Sequence, residues 1–155
     1  MAVKLPGVPT LYFAYGSNMS RRQIAGWCPA AVALGPAELP GHRLAFLRRS
    51  IRWEGGAADI VPAAGQSVWG VLWELPLGLG ELDAKEAAGN AYRRRGAKVL
   101  LGGEPHDAVV YEVIRKEPAE VPPRREYIDM MLAGAREHGL PETWLLRIEQ
   151  GYYTF

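Results

Sequence analysis

The patterned part of the chain begins at residues 11–15, where Leu11, Tyr12, Phe13, Ala14 and Tyr15 form a strand-length apolar run that ends in Gly16-Ser17-Asn18. Helical spacing follows, with Met19, Gln23 and Ile24 on one side of a short helix that Pro29 stops. Three strand-length runs come next, AAVALGPAEL, GHRLAFLRR and AADIVPA, separated by Gly and Pro signals. The strongest strand is SVWGVLWEL, apolar on both faces. Pro76, Gly78 and Gly80 then loosen the chain before ELDAKEAAG, which reads as a helix with Gly89 as its C-terminal stop.

The segments AYRRRGAKVLL and HDAVVYEVI alternate as two further strands, with GGEPH as a hairpin turn between them. From Pro122 the period changes again. Tyr127, Met130, Met131 and Ala135 fall at helical spacing, and ETWLLRIEQ makes a second helix after Gly139 and Pro141. About seven short strands, one inserted helix and a helical C-terminus predict an α+β fold whose strands curl into a barrel or a strongly bent sheet.

A chain of 155 residues predicts one domain over 1–155, since that length buries one sizeable core but rarely two. Charged residues make up 23% and hydrophobic ones 48%, the balance of an ordinary soluble globular protein. A net charge of +1 gives no electrostatic basis for binding nucleic acid or an anionic membrane surface. The short runs Arg93-Arg94-Arg95 and Arg124-Arg125 read as solvated faces. The single cysteine, Cys28, rules out an intrachain disulfide and a Cys-rich zinc site, fits a reducing cytoplasm, and reads as a packing residue beside Trp27 and Pro29. No signal-peptide core and no membrane-length apolar run is present, so a soluble, cytoplasmic protein is expected.

Few residues stand out for chemistry. Leu75, Leu79, Leu82 and Glu86 fall at steps of three or four, which puts a carboxylate on the apolar stripe of the inserted helix, while Glu81 and Lys85 pair on its outer face. An inward Glu86 would carry a raised pKa suited to taking and returning a proton. A glutamate at the edge of the stripe with its head in water satisfies the same spacing. The Gly16-Ser17-Asn18 turn can aim backbone amides into one concavity, or simply cap a helix. Ser17 lacks the second glycine of a nucleophile elbow and a nearby histidine. His42, His106 and His138 stand too far apart for a metal motif, so no metal is expected. The tail GYYTF suits core, interface or pocket wall, and could support a homodimer.

In combination these segments resemble the gamma-glutamylcyclotransferase family along nearly the whole chain. FAYGSNMS, GGAADIVPAAGQSVWGVLWEL, LDAKEAAGNAYRR, VVYEV and PPRREYIDMMLAGAREHGLPETWLLRIE occur in the family's order. The resemblance implies a small closed or nearly closed mixed β-barrel with flanking helices. It also implies an enzyme that needs no cofactor and cyclises a γ-glutamyl amide to 5-oxoproline with release of the amine. Glu86 matches the family's catalytic glutamate, and Tyr15, Gly16, Ser17, Asn18 and Met19 match the loop that holds the glutamyl group. Tyr92, Tyr111 and Tyr127 match tyrosines near the pocket. One departure is that the family has a glycine directly after its glutamate, whereas Ala87 and Ala88 precede Gly89 here. A non-catalytic ligand-binding module of the same fold and a Ser17-dependent amide hydrolase are the alternative readings.

Overall fold

The first apolar run becomes β1 (Thr10–Ala14), and its neighbours are the long strands β2 (Val32–Ser50) and β3 (Gly55–Leu75). The computed structural model describes residues 9–87 and 91–155, and the side chains of all of these except 83 and 85–87. β2 and β3 form one antiparallel hairpin, in register from Val32↔Glu74 at its base to Ser50↔Gly55 at its tip. Separate short strands were expected over this stretch, and the structure joins them. Gly35 and Gly41, at φ of 135° and 73°, sit at register shifts of β2, and Gly65, at 77°, serves β3 in the same way. Each glycine takes up a bulge that bends the strand without ending it. The expected count of about seven strands therefore falls to five.

Helix α1 (Arg21–Ala25) lies between β1 and β2, and α2 (Gly80–Ala87) follows β3. The expected stop of α2 at Gly89 lies outside the described residues. Next come β4 (Tyr92–Leu101) and β5 (Glu104–Val113), joined by Gly102-Gly103 alone, tighter than the GGEPH turn expected. Both glycines have positive φ, 58° and 83°, the backbone that a two-residue hairpin demands. The strands close into a barrel in the order β1-β3-β2-β4-β5. The closing contact, Tyr12↔Val109, is parallel and the other pairings are antiparallel, so the barrel is mixed.

Two C-terminal helices, α3 (Arg125–Glu137) and α4 (Glu142–Tyr153), pack on each other, and α3 also packs on β3. One buried cluster runs from Phe13, Phe46, Ile60 and Trp73 of the barrel to Ile128, Met131 and Ile148 of these helices. The arginine runs do more than face solvent. Arg93 and Arg95 converge on Glu112 at 3.0 and 3.2 Å, and Arg125 grips Glu149 through two bonds of 2.8 and 2.9 Å. Burial pushes the Glu112 carboxyl up, but the guanidiniums of Arg95 and Arg93 outweigh it and hold the group below its ordinary 4.5. The aromatic tail extends α4: Gly151 is buried on the Phe46 ring, Tyr153 and Phe155 are exposed, and none of the five residues lines the pocket described below. Among the described residues no helix is long and apolar enough to cross a membrane.

Candidate functional site

β1 ends at Ala14, and the chain turns through Gly16 into a short 3-10 turn, Ser17–Met19, before α1. Ser20 caps α1, its Oγ accepting from Gln23 N at 3.3 Å. The Met19 amide donates to the Gly16 carbonyl at 3.1 Å, which tightens the turn. The first amides of such a turn have no acceptor inside it, and those of Gly16 and Ser17 have no hydrogen-bond partner among the described residues.

Three contacts fix the turn in place. The Asn18 carbonyl accepts from the buried Trp73 indole at 3.1 Å, and the Asn18 carboxamide donates to the Tyr12 hydroxyl at 3.2 Å. The Tyr15 hydroxyl donates to the Tyr111 carbonyl on β5. These bonds commit the turn to one conformation, because each breaks if it shifts.

The turn opens onto a pocket of about 290 Å³. Tyr15, Gly16, Ser17 and Asn18 line it together with Tyr92 of β4, Tyr111 of β5 and Tyr127 of α3. Seven of the nine residues singled out in the sequence therefore meet around one cavity. Of the other two, Met19 has a fully buried side chain and belongs to the core. Glu86 lies in α2, four residues after the fully buried Leu82, and α2 packs on β4. The Glu86 side chain is outside the described residues.

Two of the tyrosines clamp a single residue of β3. The Ala58 amide donates to the Tyr127 hydroxyl at 2.9 Å, and the Ala58 carbonyl accepts from the Tyr92 hydroxyl at 3.2 Å. Gly16 comes so close that a Cβ there would stand 3.0 Å from the Tyr127 oxygen. Trp53 packs edge-on to the Tyr127 ring, with centroids 5.2 Å apart. Tyr127→Phe is expected to orphan the Ala58 amide and cost about 1–3 kcal/mol of stability. Urea unfolding of the two proteins measures this, and an unchanged midpoint would show that the clamp contributes nothing.

A further part of the lining, an arginine rim, was not legible in the sequence. Arg48, Ser50 and Arg52, at the β2 end of the hairpin, line the pocket together with Trp27 and Trp53. Arg48 lies over the Tyr92 ring at 5.9 Å, and Arg52 lies 5.3 Å from Trp53 and 6.0 Å from Trp27. The only trace in the sequence is the alternation of Arg48, Ser50 and Arg52 at a strand end. Among the described residues no histidine, aspartate or glutamate lines the pocket. His138 lies elsewhere, edge-on to Trp73 at 5.1 Å, and burial depresses its pKa. No group of three or more His, Cys, Asp or Glu among the described residues is placed to hold a metal ion.

This architecture has close relatives. Residues 12–129 match the family described as Gamma-glutamyl cyclotransferase, AIG2-like. The chain is 30% identical to the mouse protein named Gamma-glutamylcyclotransferase, over 89% of this chain and 76% of that protein. Against the human protein of the same name the identity is 30%, over 93% of this chain and 81% of the relative. A solved structure of a gamma-glutamyl cyclotransferase superposes with a TM-score of 0.85 at 30% identity, covering 91% of this chain and 86% of the other. Matches of this extent in sequence and fold leave one conclusion: the chain belongs to the gamma-glutamyl cyclotransferase, AIG2-like family.

Proposed function

We propose that the pocket binds a γ-glutamyl amide and cyclises it to 5-oxoproline with release of the amine. The observation that carries this reading is the arrangement of the β1 turn, where the Gly16 and Ser17 amides border a cavity of about 290 Å³ walled by tyrosines. The relatives' printed names point to the same chemistry.

In the reaction the substrate's own α-amine attacks its γ-amide carbonyl, so positioning supplies much of the rate enhancement. Glu86 takes the proton that the α-ammonium must lose. The amine nitrogen bonds to the carbonyl carbon and closes a five-membered ring, and negative charge gathers on the former carbonyl oxygen. Amides of the 16–18 turn stabilise that charge or hold the α-carboxylate. As the carbon–nitrogen bond to the leaving amine breaks, Glu86 returns the proton to that nitrogen, then relays the second proton that the ring nitrogen must shed, so 5-oxoproline keeps one N–H and the amine leaves as an ammonium. Tyr92, Tyr111 and Tyr127 orient the glutamyl group, and Met19 serves by anchoring the turn in the core. Ser17 contributes its backbone only, and the reaction calls for no metal, cofactor or protein nucleophile.

The test is incubation with a panel of γ-glutamyl dipeptides and γ-glutamyl amines, with and without a chelator, followed by mass detection of products. The expected products are 5-oxoproline and one equivalent of free amine, insensitive to chelator, with Ser17→Ala still partly active. Free glutamate would show a hydrolase using Ser17. No turnover across the panel would show a binding module.

A further inference from the structure

Two cations line this pocket, and apart from Glu86, which the cyclotransferase reading commits to proton transfer, no carboxylate among the described residues joins them. Arg48 rises from β2 beside the tyrosine clamp, its guanidinium over the Tyr92 ring. Arg52 sits past the end of the same strand, between Trp53 and Trp27, and one edge of its guanidinium bonds the Gln23 side-chain oxygen. Among the described residues no carboxylate pairs with either group, although Arg93, Arg95 and Arg125 all have acidic partners. An arginine held by ring faces and one amide keeps a planar fork of donors, which suits a carboxylate.

We infer that Arg48 and Arg52 form a cationic subsite for the leaving amine, and that the preferred substrates are γ-glutamyl conjugates of acidic amino acids. This rests on the cyclotransferase reading above and names the substrate class for that same pocket. The cyclotransferase reading gives the glutamyl half to residues 15–18 of the β1 turn, and the two arginines come from a different segment, at and after the end of β2, so they are available to the other half of the molecule. One guanidinium matches the α-carboxylate of a leaving amino acid, and the second matches a side-chain carboxylate. A leaving amine with extra positive charge, such as a diamine, meets two like charges here and is disfavoured. An uncharged alkylamine gains nothing from either arginine.

The experiment compares kcat/KM for γ-glutamyl-L-glutamate, γ-glutamyl-L-alanine, γ-glutamyl-ethylamine and γ-glutamyl-1,4-diaminobutane. The rates are expected to fall in that order, with the acidic substrate ahead of ethylamine by on the order of a hundredfold. In Arg48→Gln and in Arg52→Gln the acidic-to-neutral ratio of kcat/KM is expected to drop about tenfold, through KM, and in the lysine variants less. A mutation-free arm raises the salt concentration with wild-type protein, where KM for the acidic substrate is expected to climb and KM for the ethylamine conjugate to stay level. Equal kcat/KM for all four substrates, or a preference that survives the double glutamine variant, overturns the subsite. In both cases 5-oxoproline still forms. Absence of 5-oxoproline from every substrate overturns the cyclotransferase reading instead.

Discussion

Glu86→Gln is expected to slow 5-oxoproline formation by about 10²- to 10⁴-fold, the range a positioned general acid–base supplies. The effect follows from giving one side chain both proton transfers. Glutamine keeps the size of the side chain and its place in α2, but it neither accepts the ammonium proton nor delivers one to the leaving nitrogen. On the proposed reading the loss falls on kcat, because that reading gives the glutamyl group to the turn and the tyrosines and leaves Glu86 only the proton transfers. Single-turnover assays at saturating γ-glutamyl dipeptide measure it, with circular dichroism to show that the fold is intact. A variant within about fivefold of wild type would remove Glu86 from the chemistry, since general acid–base catalysis is worth far more than that.

The second large effect comes from a residue outside the pocket. Gly134, on α3, packs directly under the turn, and a Cβ there would lie 2.5 Å from both the Met19 carbonyl carbon and the Ser20 nitrogen. Those are backbone atoms, so relief requires moving either α3 or the turn. Gly134→Ala is therefore expected to cost about 1–3 kcal/mol, the usual penalty for overpacking a close contact. At about 2–4 °C per kcal/mol for a chain of this size, Tm falls by roughly 2–12 °C. If the turn yields, the amides of Gly16 and Ser17 move with it and KM rises as well. Calorimetry and steady-state kinetics on the same sample test the coupling. A Tm within about 1 °C of wild type would show that the helix and turn adjust without strain.

Legibility in the sequence followed the range of the interactions involved. The 16–18 turn, the α3 spacing and the β4–β5 hairpin are local, fixed by backbone preferences within a few residues, and they stand where turn chemistry and periodicity put them, except that the hairpin loop is Gly102-Gly103 alone and Glu104-Pro105-His106 belong to β5. Gly35, Gly41 and Gly65 were ambiguous, because a positive-φ glycine serves a turn and a bulge equally well. The choice between them is made by the partner strand, which lies far along the chain. The arginine rim was hidden for the same reason. Nothing near Arg48 or Arg52 in sequence reveals that Tyr92 and Trp27 will stand beside them. Closure of the barrel and the part given to Glu86 were read through the family resemblance, and periodicity alone favoured a Glu86 at the edge of the stripe with its head in water.

The parallel seam between β1 and β5 also bears on the order of events in folding. The β2–β3 and β4–β5 hairpins pair neighbours in sequence, while the Tyr15–Tyr111 bond joins residues 96 positions apart. Loop-closure entropy makes such a contact slow to form until intervening structure shortens the effective loop. Tyr12, Tyr15 and Tyr111, which line the cavity, stand on the two sides of this seam, so a chain with its hairpins formed and its seam open has most of the fold and an incomplete pocket. Ligand binding then favours the closed chain, and a tight ligand stabilises the molecule against opening at this long-range seam.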